Sequence, residues 1–368
     1  MYIDSSLNCK PPPLKIGDLT VPIPIIQGGM GIGISMSGLA SAVAKEGAIG
    51  VIAAVMIGFN EKGFYKDPRG TTRTALEKHI KRAKELAPNG VIGVNIMVAL
   101  TDYEELVRIS AKAGADLIIS GAGLPLNLPA LLPEGSKTKL VPIVSSGRAA
   151  AILCRRWKQH FGFPPHAIVV EGPKAGGHLG FKAEELESPN KELKIIVKEV
   201  IEAVKPFEDK CGQKIPVIAA GGIYSGADMY EFLSMGASGV QMATRFVATY
   251  ECDASDRFKQ AYIEATKDDI VIIKSPVGLP GRALNGPFVE KIKQGKVKPH
   301  KCTYHCLKTC NYKTAPYCIS MALINAQRGN LESGFVFCGA NVWKVNKILS
   351  VKELISEILK EYSQAACP

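Results

Sequence analysis

Nowhere in its 368 residues does the chain approach the roughly 18 consecutive apolar residues that a membrane-spanning helix needs. The longest strongly apolar stretch, Ala48 to Gly58, suits a buried strand and its turn. Residues Met1 to Lys10 carry no basic-then-apolar leader pattern, low-complexity tracts are lacking, and nothing repeats beyond an alternation of strand and helix. Nucleic-acid-binding motifs are missing as well. These absences predict a cytoplasmic protein with neither membrane nor nucleic acid as a partner. Acidic residues are lacking over one window: between Lys291 and Lys313 stand seven Lys and no Asp or Glu, so much of the net charge of +11 is local. A solvated basic face is the plain reading of that window, and an excess of this sign otherwise favours phosphates, nucleotides or an acidic carrier protein. What remains, 46% hydrophobic, 21% charged and 36 Gly, describes a globular chain with a large core.

From residue 21 to about 250, short apolar runs alternate with helical patterns. The runs are Ile23–Gln27, Gly50–Val55, Val91–Met97, Leu117–Ser120, Val141–Val144, Ala167–Glu171, Val217–Ala220 and Gly239–Met242. Near-continuous apolar runs fit parallel strands buried on both faces. Helix patterns fall between them, at Ser37–Glu46, Thr72–Leu86, Tyr103–Ala113, Pro125–Leu132, Arg148–His160, Leu193–Val204 and Ser225–Met235. Eight β/α units predict a (β/α)8 TIM barrel, an α/β fold whose active site lies at the C-terminal strand ends. A doubly wound sheet is the alternative, but glycines follow several strands, at Gly28-Gly29, Gly121, Gly172 and Gly221-Gly222, which one shared rim explains better. The barrel is placed at 14–250, an accessory segment with the basic window and a cysteine cluster at 251–335, and a returning segment at 336–368. Leu354, Ile355, Ile358 and Leu359 mark the apolar stripe of a final helix, and Ser275–Pro287 reads as a Pro/Gly-rich connection.

Three rim segments carry chemistry. The loops after strands seven and eight, Ala219-Ala220-Gly221-Gly222-Ile223 and Gln241-Met242-Ala243-Thr244-Arg245-Phe246, stand where barrels form a phosphate site from backbone N–H groups. After strand six, Glu171-Gly172-Pro173-Lys174-Ala175-Gly176-Gly177-His178-Leu179-Gly180 sets an imidazole on a backbone free to approach a ligand, so His178 is the candidate acid/base. Gln27-Gly28-Gly29-Met30-Gly31-Ile32-Gly33 is a poor dinucleotide fingerprint, since Met36 stands where the third glycine belongs, but its glycines would let a flat ligand approach the backbone.

Taken in order, Pro24 to Gly31, Gly93-Val94-Asn95-Ile96-Met97, Gly121 to Pro125, Glu171 to Gly180, Ala220 to Ile223 and Thr244-Arg245-Phe246 resemble the nitronate monooxygenase (2-nitropropane dioxygenase) family, which includes FMN-dependent enoyl-acyl carrier protein reductases. The resemblance spans roughly residues 14 to 250 and the last helix. It implies a barrel binding FMN non-covalently, with Gly28 and Met30 lining the flavin ring, Asn95 at the ring's polar edge, and Glu171 and Lys174 along the ribityl or phosphate side. Gly177, Gly221, Gly222, Ala243 and Thr244 would hold the phosphate. Ala243 departs from the glycine common in the family, yet keeps its N–H. The implied activity is oxidation of an alkyl nitronate to a carbonyl compound and nitrite; the alternative is NAD(P)H-dependent reduction of an enoyl thioester. A barrel that binds a phosphorylated ligand without turnover is the non-enzymatic reading.

Of ten cysteines, six are scattered and four, Cys302, Cys306, Cys310 and Cys318, share one segment. In a reducing compartment such clustering suggests metal more than disulfide, and four thiols suffice for a [4Fe–4S] cluster or a zinc site. On an unbroken helix residues eight apart lie about 12 Å apart, so the segment must bend, as Asn311 and Pro316 permit. A cluster there is expected to pass electrons to FMN. Reduced structural cysteines, or a segment for self-association into a homo-oligomer, are the other readings.

Overall fold

A short antiparallel hairpin of β1 (Leu14–Ile16) and β2 (Leu19–Val21) precedes the repeating part of the fold in the computed structural model, which describes residues 8–367. Residues 1–7, most of the stretch read for a leader, lie outside the described residues. Strands β3 (Ile25–Gln27), β4 (Ile49–Ala53), β5 (Val91–Met97), β6 (Leu117–Gly121), β7 (Lys139–Val144) and β8 (Ile168–Glu171) follow. Helices α1 (Ser37–Lys45), α2 (Pro68–Leu86), α3 (Tyr103–Lys112) and α4 (Gly147–Phe161) intervene. After the two-residue β9 (Gly177–His178) come α5 (Leu193–Cys211), β10 (Val217–Ala220), α6 (Gly226–Ser234) and β11 (Gly239–Met242). Strands β3 to β8, β10 and β11 close into an eight-stranded parallel barrel. Each barrel strand lies within two residues of its expected bounds.

Alternation along the strands builds two cores. Ile26, Val51, Ile119, Val169 and Ile218 fill the barrel interior, which Leu14, Ile16 and Val21 of the hairpin plug at the strands' N-terminal end. Their neighbours Ile25, Ile52, Ile118 and Ile168 turn outward onto the helices. Helix starts follow their caps: Ser146 accepts from Ala149 N–H, and Ser225 and Asp228 form a capping box at α6. Three helix expectations need correction, the first being α5, which runs past its expected end at Val204 to Cys211 with Pro206 inside it. Helix α2 begins earlier than expected because Asp67 caps it from Gly70 N–H and Pro68 occupies the first turn. The expected helix at Pro125–Leu132 is only a 3₁₀ turn, Leu128–Leu131, since Pro129 lacks an N–H and disfavours helical geometry before it.

Beyond β11 the chain makes a short helix α7 (Thr244–Val247), then α8 (Asp256–Ile263), β12 (Ile270–Lys274), β13 (Pro280–Leu284), α9 (Pro287–Lys293), α10 (Ile319–Gln327) and α11 (Val351–Ala366). The stretch expected as a mere connection therefore carries a hairpin. Its prolines stand in the turn and at the first position of β13, where no ladder hydrogen bond is lost, and Gly278 supplies the left-handed turn residue at φ +91°. Strand β13 also pairs with β9, which carries His178. Helix α11 packs between α6 and α1 as the eighth barrel helix, separated from its strand by an excursion of about a hundred residues that covers the barrel mouth. Cys9 and Cys367 are disulfide-bonded, tying the start of the described chain to the end of α11. Among the described residues no helix is long and apolar enough to cross a membrane.

Candidate active site

At the C-terminal rim, β3 ends in Gln27, whose fully buried carboxamide accepts from Val51 N–H at 2.9 Å where the β3–β4 ladder has already run out. Gly28 N–H donates to Met242 O at 2.8 Å, and Met30 closes a turn through Ser35 Oγ at 2.9 Å. Gly29 is held against Asn95 of β5 so closely that any side chain at 29 would overlap the Asn95 Cβ. The rim thus offers bare backbone beside the Asn95 side chain. Gln241 of β11 adds a second carboxamide to this wall, and its buried Oε1 has no hydrogen-bond partner among the described residues.

Beyond β10, Gly221 and Gly222 adopt φ +95° and +91°, which aims successive backbone groups into the same cavity. Ala243 and Thr244 open α7 beside them. The far C-terminal segment closes this end: Asn341 Nδ2 donates to Gly222 O at 2.6 Å, Ala340 N–H donates to Lys174 O at 3.2 Å, and Gly339 abuts Thr244. Arg245 turns away from the cavity and pairs with Glu357 at 2.8 Å and Glu361 at 3.1 Å on α11.

His178 is fixed from three sides. Its strand pairs with β13, its Nε2 lies 2.7 Å from Ser275 Oγ, and Phe337 meets its ring edge-on at 5.0 Å. Nδ1 has no hydrogen-bond partner among the described residues. Burial pushes the imidazole down to about 4, so the ring is neutral at pH 7. Glu171, at the end of β8, accepts from Gly180 N–H at 3.2 Å, and burial raises it to about 7 against that one hydrogen bond. The buried Arg282 donates to Pro173 O at 2.7 Å and to Ala175 O, clamping the loop that carries Lys174 and His178.

One cavity of about 270 Å³ gathers Gly28, Met30, Asn95, Glu171, Lys174, Gly177, His178, Gly221, Gly222, Ala243 and Thr244. Gln241, Gly176, Phe337, Gly339 and Asn341 also line it but were not among the expected site residues. Gln241 was legible, being the outermost residue but one of the eighth strand. Asn341 was not, because its bond to Gly222 crosses 119 residues with no local pattern.

The four clustered cysteines stay apart from this set, except that Cys306 faces both spaces. Together they line a second cavity of about 300 Å³. Burial pushes Cys306 up to about 11, with the thiols of Cys318, Cys310 and Cys302 adding to the push, so all four lie within electrostatic reach of one another. Among the described residues no three His, Cys, Asp or Glu side chains converge tightly enough for a single metal ion, which disfavours the zinc reading. The basic window is less uncompensated than its sequence implies: Lys291 meets Glu332 at 3.2 Å and Lys293 meets Glu290 at 2.7 Å, both partners lying outside it.

A profile of the nitronate monooxygenase family matches residues 13–361. The (3aS,4S,5R,7aS)-5-hydroxy-7a-methyl-1-oxo-octahydro-1H-indene-4-carboxyl-CoA dehydrogenase of Mycobacterium tuberculosis is 28% identical over 272 residues, covering 74% of this chain and 66% of that protein. The chain thus matches slightly less than two thirds of that relative's length. A probable nitronate monooxygenase of Staphylococcus aureus is 27% identical over 312 residues, with 75% and 79% of the two chains covered. Among solved structures, FabK from Thermotoga maritima superposes with a TM-score of 0.72 at 28% identity over 94% of both chains. Nitroalkane oxidase from Streptomyces ansochromogenes superposes at 0.70 over 94% of this chain and 97% of that one; at 20% identity it shows the fold alone.

Proposed function

Because the chain belongs to the nitronate monooxygenase family, we propose that it is an FMN-dependent oxidoreductase that oxidises small alkyl nitronates, with His178 as the base toward neutral nitroalkanes. The observation that carries the reading is the buried imidazole of His178, its Nδ1 without a hydrogen-bond partner among the described residues, in the same cavity as a wall of bare glycine backbone and two carboxamides. The residues present fit FMN. The unpartnered Gln241 Oε1 and the Asn95 side chain suit the polar edge of a flavin ring, and Gly28 and Met30 provide a close backbone wall. Glu171 and Lys174 would flank the ribityl chain, and Gly177, Gly221, Gly222, Ala243 and Thr244 would offer backbone groups to a phosphate. When bound, FMN would accept two electrons from the substrate and pass them to dioxygen.

The chain's own part is proton handling and placement. In the tautomer that donates Nε2–H to Ser275 Oγ, the Nδ1 lone pair is left to remove the α-proton of a nitroalkane. Charging a buried imidazole is unfavourable, and the nitronate anion formed beside it offsets that cost. A preformed nitronate needs no such step.

A second reading, reduction of an enoyl thioester at NAD(P)H expense, is favoured by the lysine-rich segment and by the 28% identity to a relative named for a carboxyl-CoA substrate. Anaerobic titration of the purified protein separates the two. Bleaching of an oxidised flavin spectrum by ethylnitronate supports the first reading. Bleaching only by NAD(P)H, reversed by an enoyl thioester, supports the second, and absence of any flavin band overturns both. Cytoplasmic location and self-association remain parts of this proposal, the first tested by fractionation and the second by light scattering.

A further inference from the structure

The chemistry above makes no use of the cysteine segment. Between α9 and α10 the chain forms no helix; it reverses at His305, held at φ +46°, and turns at Asn311, whose carbonyl accepts from Ala315 N–H at 2.9 Å. These bends bring together thiols that a straight helix would separate. The segment is also pinned to the barrel: Thr101 N–H donates to Cys306 O at 3.1 Å, Lys308 N–H donates to Ala99 O at 3.0 Å, and Leu100 bridges Leu307.

We propose that the cavity of about 300 Å³ between these bends binds a [4Fe–4S] cluster through Cys302, Cys306, Cys310 and Cys318. Three features support this assignment. All four thiols are free, and all four line this one space. No carboxylate lines the cavity, while Lys301, Lys308 and His305 do, which suits an anionic group bearing four thiolates. Ser320 Oγ donates to Cys306 Sγ at 3.1 Å, the kind of hydrogen bond that tunes a ligating sulfur. Because Cys306, Leu307 and Ile319 line both cavities, a cluster held here would abut the proposed flavin site.

Full-length protein prepared anaerobically is expected to contain iron and acid-labile sulfide at about four each per chain, with a broad visible absorbance bleached by dithionite. Protein isolated without iron is treated anaerobically with ferrous iron and sulfide. Failure to take up both overturns the proposal, as does zinc at one per chain that resists replacement. Cys310→Ser, at a partly exposed position, is expected to lose more than half of the iron and sulfide with an unchanged far-ultraviolet circular dichroism spectrum; full retention of both removes Cys310 as a ligand and overturns the four-thiolate assignment. Cys211→Ser, on α5, is the control and should retain the wild-type content. Metal and sulfide content require no turnover, so these outcomes are independent of the substrate reading.

Discussion

His178 and Glu171 reach the same cavity, and burial moves their protonation in opposite directions, the imidazole down to about 4 and the carboxyl up to about 7. For neutral nitroalkanes, the acid limb of kcat/KM should show an inflection near 4, where His178 becomes charged. Glu171→Gln is expected to leave that inflection in place, since His178 alone takes the proton. His178→Gln should lower turnover of neutral nitroalkanes by about 10²- to 10⁴-fold, while oxidation of preformed nitronates changes far less. Equal losses on both substrates in steady-state assays would show that His178 places the ligand and does not take the proton. Stability follows the same groups. The depressed His178 contributes stability that is present above its unfolded value of about 6.5 and lost as pH falls through 4; the raised Glu171 contributes stability present below about 4.5 and lost as pH rises through 7. Ligand-free Glu171→Gln should accordingly melt higher than wild type at pH 8 and the same at pH 4, read by calorimetry.

At the scale of elements, helix placement behind the rim depends on a few long-range contacts. Asp253, beyond β11, accepts from Met36 N–H at 2.8 Å and Leu39 N–H at 3.1 Å, capping α1 just after the glycine turn. Asp253→Ala should cost about 1 kcal/mol in urea unfolding, the usual worth of such a cap. Helix α11 crosses α6 at Gly226, where an added Cβ would run into the Ile358 carbonyl, and Glu361 accepts from Gly226 N–H at 2.6 Å. Gly226→Ala should destabilise by about 1–3 kcal/mol through overpacking at this crossing, visible as a lowered Tm. A Tm within one degree of wild type would mean that the crossing relaxes freely. Arg245 belongs to the same joint, since its ion pairs run to α11 and away from the phosphate end.

For the whole molecule, the barrel supplies the rim and the excursion between α7 and α11 supplies the cover. Val277, Phe258, Tyr262, Leu323 and Phe337 of that excursion close an otherwise open mouth over the cavity. A ligand enclosed in this way stabilises the whole fold by mass action, about 2.7 kcal/mol at a hundredfold excess over Kd. Stripping the proposed FMN should lower Tm, and adding it back should restore it in proportion to the logarithm of its concentration. A Tm indifferent to FMN would contradict the enclosed site.

Much of this architecture was legible in the chain because its causes are local. Apolar runs such as Val91–Met97 specify strands buried on both faces, Ser225 and Ser350 begin helices, and glycines immediately after strands mark where backbone must face a ligand. Those signals placed all eight strands, the rim and His178. Other features depend on contacts between distant residues, which leave no periodicity behind. Proline and glycine in Ser275–Pro287 looked irregular, yet β13 there pairs with β12 and, on its other edge, with Gly177 and His178 about a hundred residues earlier, a contact no local pattern announces. Arg282 is identifiable as a clamp only once the Pro173 and Ala175 carbonyls meet it, and Asn341 only once Gly222 does. Sequence alone therefore determined the barrel, its order and which residues stand at its rim, through side-chain periodicity and backbone freedom. Tertiary structure alone decided how burial tunes His178 and Glu171, what covers the cavity, and that the four thiols spread from Cys302 to Cys318 share one space.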